Sequence, residues 1–91
     1  MSERFRVPDD VVSEVLEGEA VLLHLRTGKY FGLNPSGTRM WALLAEHREA
    51  EATLRCLCAE FPGVAPERLK DDFVVFVTEL LSRGLLVRSA G

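Results

Sequence analysis

The sequence has no long uninterrupted apolar stretch. Apolar runs such as Phe73–Val77 fall far short of the ~20 residues that a transmembrane helix needs. The apolar segment of a secretory signal is missing as well, because charged residues interrupt the first ten positions. Those charges are Glu3, Arg4, Arg6, Asp9 and Asp10. We therefore expect a cytoplasmic protein that does not enter a membrane.

Cysteine and histidine are equally scarce. Cys56 and Cys58 are the only cysteines, and their spacing places them about 200° apart on a helix, so they cannot bridge each other. A metal site needs further ligands, and neither His24 nor His47 stands at metal-binding spacing from another ligand. We expect no metal site and interpret both cysteines as small hydrophobic residues.

Catalytic motifs and an excess of positive charge are also missing. The sequence has no glycine-rich phosphate loop, no Gly-x-Ser-x-Gly motif and no carboxylate–histidine cluster. Lys and Arg number 11 against 14 Asp and Glu, which gives a net charge of −3, and the basic residues are scattered. The attraction that supplies most non-specific affinity for nucleic acids is therefore absent. We predict a protein that is not an enzyme, uses no cofactor and binds no nucleic acid.

What the sequence does contain is enough apolar residues for one core. Its 91 residues are 47% hydrophobic and 27% charged, as expected for a single small globular domain spanning the chain. Three segments in the first third predict strands, namely Val11–Leu16, Ala20–Leu25 and Tyr30–Leu33. Turns containing Gly18 and Gly28 connect them and favour a three-stranded antiparallel sheet.

The rest of the chain predicts three helices. Asn34 can cap the first helix, and Pro35 suits its first position because a proline there loses no hydrogen bond. The second helix covers about 49–61, and the third runs from about 66 to just before Gly84. Shorter extended pieces are expected at Arg4–Val7 and Leu85–Val87. The fold class is α+β, and a sheet followed by three helices suggests a winged helix-turn-helix shape.

The third predicted helix has an apolar stripe about 100° wide, which predicts a face buried in the core. The stripe consists of Leu69, Phe73, Phe76, Val77 and Leu80. Val75 lies outside it, among charged residues. A single exposed valine is usually incidental, but it can also belong to a surface that another molecule covers.

The stretch from Val21 to Gly37 resembles the PqqD-like family. It has the family's apolar strand, glycine turn, aromatic strand, Leu33-Asn34 pair and small-residue helix start, and Trp41 follows at the expected place. The closing helix and its Gly84-Leu85-Leu86 end are also similar. Phe61-Pro62-Gly63-Val64, followed by Pro66-Glu67-Arg68, is most similar to the branch found in lasso-peptide biosynthesis. The resemblance covers about residues 11–87 and departs from the family pattern at His24, Ala65 and Val75.

The resemblance implies an adaptor in the biosynthesis of ribosomally made, modified peptides (RiPPs). Such domains bind the leader segment of a precursor peptide, which adds as a strand along the third strand of the sheet and packs against the third helix. A short aromatic edge strand suits this mode, because its backbone groups can pair with another strand. The candidate peptide-binding residues are Tyr30, Phe31, Gly32, Leu33, Leu69, Asp72, Val75, Phe76 and Glu79. Val74 and Leu81, on the other flank of the third helix, are the alternative wall of the groove.

The resemblance also implies partners, namely the precursor leader and a separate leader peptidase and cyclase. We expect a monomer or a weak dimer. Three alternatives stay open at this point. The chain could be a PqqD-like peptide chaperone for a radical SAM maturation enzyme, a DNA-binding winged helix, or an interaction domain that only dimerises.

Overall fold

The structure, a computed structural model, describes residues 3–89. It has five strands and three helices in these residues. In chain order they are β1 (Phe5–Arg6), β2 (Val11–Leu16), β3 (Glu19–His24), β4 (Tyr30–Gly32), α1 (Pro35–His47), α2 (Ala50–Glu60), α3 (Pro66–Ser82) and β5 (Val87–Arg88). The predicted α+β order of an antiparallel three-stranded sheet followed by three helices is confirmed.

The main sheet has the order β2-β3-β4, with β3 in the centre. The β2–β3 hairpin turns at Glu17 and Gly18, which both have positive φ, as a two-residue hairpin turn requires. Side chains alternate between the two faces of the sheet. The inner face carries the buried residues Ala20 and Leu22 and packs on the helices. The outer face of the sheet carries Val12, Leu23 and Tyr30 in one cross-strand row.

A second, two-stranded sheet joins the two ends of the described chain. β1 pairs antiparallel with β5, and the Ser89 amide donates to the Arg4 carbonyl over 2.8 Å. The predicted piece at Arg4–Val7 is present, but its partner could not be predicted, because two-residue strands carry no measurable periodicity. The last strand also lies later than the Leu85–Val87 prediction, because Leu85 and Leu86 are buried in the core instead.

The helix boundaries follow local capping chemistry. Asn34 caps α1 as predicted, because its side-chain oxygen accepts from the Gly37 amide over 2.7 Å, and Pro35 begins the helix. Ala65, at the N-cap of α3, provides no side-chain cap because alanine has no polar side-chain atom. Arg39 on α1 makes a two-pronged ion pair with Glu60 on α2, which holds the pKa of that carboxyl below its ordinary value.

The core lies between the inner face of the sheet and the three helices. Trp41 is 6% exposed, and Leu69, Phe73, Val77 and Leu80 of the predicted α3 stripe are buried. Phe76, which was expected in that stripe, is only half-buried because it stands at the edge of the core next to β4. Within residues 3–89 no helix combines the length and the apolar content needed to cross a membrane.

Candidate functional site

A groove of about 470 Å³ separates β4 from α3. One side is the end of the sheet, and the other is the α3 face that contains Val75 and Phe76. The first turns of α1 close the groove at one end. Its lining consists of Phe31, Gly32, Leu33, Asn34, Ser36, Gly37, Met40, Asp72, Val75, Phe76 and Glu79.

The β4 backbone presents unpaired hydrogen-bonding groups along this groove. The His24 amide donates to the Lys29 carbonyl over 2.9 Å, and the Leu33 amide donates to the Ala20 carbonyl over 2.8 Å. In an antiparallel ladder the bonded residues alternate, so Phe31 bonds to β3 and its two neighbours point away from β3. The N–H and C=O groups of Tyr30 and Gly32 therefore face the outer edge of β4. We call these groups the free edge of β4.

The α3 wall opposite the free edge mixes apolar and acidic side chains. Val75 is 69% exposed and projects between two carboxylates, Asp72 and Glu79. Both carboxylates have basic neighbours one helical turn away: Arg68 lies 3.9 Å from Asp72, and Arg83 lies 2.9 Å from Glu79. The wall thus has an apolar centre with a charge at either end.

Arg83 also joins the two sides of the groove. Its guanidinium carbon lies 4.6 Å from the centre of the Phe31 ring, while its side chain bonds to Glu79. A guanidinium over an aromatic face is attractive. The Phe31 ring is therefore held at the boundary between the sheet and the end of α3.

The structure brings most of the predicted site residues together around this groove. Tyr30 contributes backbone to the free edge, but its side chain projects from the outer face of the sheet and is 77% exposed. Leu69, expected as the floor, does not line the groove: it is 6% exposed and belongs to the buried stripe of α3. On the alternative flank, Val74 is exposed away from the groove and Leu81 packs against the core. The flank containing Val75 is the one that faces β4.

Comparisons with known proteins agree with this architecture. The family described as Coenzyme PQQ synthesis protein D (PqqD) matches residues 19–86. The chain belongs to the PqqD family. This family match confirms the resemblance that the strand-to-helix motif indicated in the sequence.

Two solved structures are similar to this PqqD-family chain. One is described as TbiB1 in complex with the TbiA(beta) leader peptide. It is 38% identical, with a TM-score of 0.85 over 94% of this chain and 99% of that chain. The other is described as lasso peptide synthetase B1 complexed with the leader peptide. It is 23% identical, with a TM-score of 0.81 over 92% of this chain and 98% of that chain, and shows the shared fold. No curated protein matches the sequence.

Sequence reasoning missed the contribution of α1 to the groove of this PqqD-family chain. Asn34, Ser36, Gly37 and Met40 all line it, although the first of these was interpreted only as a helix cap. A Cβ atom on Gly37 would lie 3.6 Å from the Phe76 ring and 3.1 Å from the Asn34 oxygen, so a glycine fits this contact best. The Asn-Pro-x-Gly signal was present, but its position against α3 depends on long-range packing.

The groove offers no cluster of metal ligands. Among residues 3–89, no group of three or more His, Cys, Asp or Glu side chains is placed to hold a metal ion. The groove offers backbone pairing along the free edge and apolar and charged contacts along α3.

Proposed function

We propose that this chain is a non-catalytic adaptor that binds the leader segment of a ribosomally made precursor peptide. This proposal rests mainly on one observation: the free edge of β4 faces a groove whose other wall is α3. An extended peptide that pairs with such an edge gains main-chain hydrogen bonds, and pockets for its alternate side chains supply specificity. The relative at 38% identity, described as bound to a leader peptide, supports this proposal.

In the proposed complex the leader becomes a fourth strand of the sheet. Tyr30 and Gly32 supply its backbone partners, while Val75 and Phe76 contact the peptide side chains that point toward α3. Asp72 and Glu79 lie at the two ends of this contact, where they can accept hydrogen bonds from the peptide. Phe31 and Leu33 form the strand side of the groove.

The adaptor acts by raising the local concentration of precursor at the enzymes that modify it. We infer that these enzymes are a separate leader peptidase and a cyclase of a lasso-peptide pathway, and that the step takes place in the cytoplasm. The similar structure described as lasso peptide synthetase B1 supports the lasso branch over a radical SAM partner.

Proline substitutions on the two edges of the sheet test the proposal. Gly32→Pro removes an amide that points to the free edge of β4, whereas Ser13→Pro removes the equivalent outward amide of β2, the opposite edge strand. Neither amide bonds to β3, and proline is tolerated at such positions of edge strands. We expect Gly32→Pro to weaken binding of a fluorescently labelled leader at least about tenfold, by analogy with the loss of one or two hydrogen bonds.

The leader for this experiment comes from the precursor of the same pathway, and binding is followed by fluorescence polarisation. Ser13→Pro should bind like the parent, and thermal unfolding should show that both variants are folded. Equal losses in the two variants, or no binding by the parent, would refute strand addition to β4.

A further inference from the structure

We propose that the outer face of the sheet, beside Gly32, is a second side-chain pocket for the bound peptide. This inference rests on the proposed function and deepens it, because it assigns chemistry to the peptide side chains that point away from α3. The occupant is one outward-facing aromatic or long aliphatic side chain of the peptide. The peptide would then be recognised from both faces of the strand that it adds.

Side chains along a strand alternate between the two faces of the sheet, and this alternation determines which peptide residues reach the outer face. Directly paired residues on adjacent strands have side chains on the same face of the sheet. Phe31 points to the inner face, toward the core, and Gly32 and Tyr30 share the outer face with their partners Val21 and Leu23. A peptide residue opposite Phe31 therefore enters the α3 groove. Peptide residues opposite Tyr30 and Gly32 project over the outer face.

Gly32 leaves a gap in that outer face. A Cβ atom built on it would have no neighbouring atom within 4 Å, and its φ is not in the left-handed region that favours glycine. Backbone conformation therefore does not explain the glycine. The absent side chain instead opens the way from the free edge to Val21, its half-buried partner on β3.

Most side chains around the gap are apolar, and the charged neighbour of Val21 on the same face of β3 is Glu19. Tyr30 is 77% exposed on one side of it, and Leu23 and Val12 continue the same cross-strand row. Together with Val21 they line a concavity of about 550 Å³ on the outer face, which Ser13, Glu14 and Leu16 of β2 also line. Within the described part of this face, the nearest charge in the Gly32 row is Glu14 on β2. It lies three strand spacings from an added peptide, about 14 Å, which is too far for direct pairing.

The distance between the added peptide strand and β3 requires a large peptide side chain in this pocket. The peptide strand would lie about 9.6 Å from β3, which is two strand spacings, so a small side chain could not touch Val21. An aromatic or long aliphatic side chain can fold across the backbone of Gly32 and reach both Val21 and Tyr30. Aromatic side chains pack over a cross-strand glycine in this way in other sheets.

A peptide panel with two variants of the protein tests this pocket. Each position of the leader segment is replaced in turn by alanine, and the affinity of each peptide is measured by fluorescence polarisation for the parent, Gly32→Val and Val15→Ala proteins. For the parent protein, we expect alanine replacement of one large peptide residue that faces the outer side of the sheet to lower the affinity about five- to tenfold. Two cross-strand contacts would give a loss of this size. Gly32→Val fills the gap without a clash, so the same alanine replacement in the peptide should lower the affinity for this variant less than twofold.

Val15→Ala is the matched control, because Val15 is exposed on β2, three strand spacings from the peptide, and does not line the outer-face concavity. With this control variant, alanine replacement of the outward-facing peptide residue should lower the affinity as much as it does with the parent. The pocket is refuted if alanine penalties fall only on residues that face α3, or if Gly32→Val leaves the outward penalty unchanged. Those results leave leader binding itself intact. If the parent binds no leader, the proposed function fails and this inference fails with it.

Discussion

Replacing Val75 by aspartate is expected to weaken leader binding at least about tenfold while the protein stays folded. Val75 is 69% exposed, so the free protein tolerates a charge there. In the complex the new carboxylate would be buried against the peptide, between Asp72 and Glu79. Burial of an unpaired charge and repulsion by two like charges both oppose binding. Fluorescence polarisation with the labelled leader measures the loss.

Val74→Asp is the matched control for this prediction. Val74 is the preceding residue and is 51% exposed, but it does not line the groove. It should bind the leader like the parent. If the two substitutions weaken binding equally, the wall of the groove is assigned to the wrong flank of α3. Leu33→Asp is unsuitable as a second test of the groove, because Leu33 is 6% exposed and an aspartate there would destabilise the fold.

Trp41→Ala is expected to lower the free energy of unfolding by about 3–5 kcal/mol, as truncations of buried aromatic residues do. Trp41 lies on α1, is 6% exposed and belongs to the hydrophobic core of the protein. A small domain has about 5–10 kcal/mol of stability in total, so this variant should be partly unfolded at 37 °C. Urea unfolding followed by circular dichroism gives the difference.

Tyr30→Ala provides the comparison for that loss, because the Tyr30 side chain is 77% exposed. It should change the free energy of unfolding by no more than about 0.5 kcal/mol, the usual range for surface substitutions. A Trp41→Ala variant as stable as Tyr30→Ala would show that the packing of α1 against the sheet is not what holds the fold together.

The elements with strong local signals were predictable from the sequence. Asn34 and Pro35 define the start of α1 through capping chemistry, and Gly18 allows the tight β2–β3 turn. The pairing of β1 with β5 was not predictable. It joins residues at opposite ends of the chain, and strands of two residues have no pattern that identifies a partner.

Some residues of the candidate site were likewise predictable from the sequence, and others were not. Val75 stood out because an apolar residue interrupted a charged helix face, and the structure places it at the centre of the groove wall. Leu69, a member of the apolar stripe, was expected as the floor of the groove, but its angular position on α3 directs it into the core. Gly37 and Met40 were missed because their place beside Phe76 depends on how α1 packs against α3.

Amide hydrogen exchange of β4, followed residue by residue by NMR, tests strand addition most directly. The amide of Phe31 already bonds to β3, whereas the amides of Tyr30 and Gly32 point to the free edge. On saturation with the leader peptide, we predict that Tyr30 and Gly32 become protected at least about tenfold, because a bonded amide exchanges only when its bond opens. The outward amide of Ser13 on β2 should not change. Saturating leader with no gain of protection at Tyr30 and Gly32 would contradict the account.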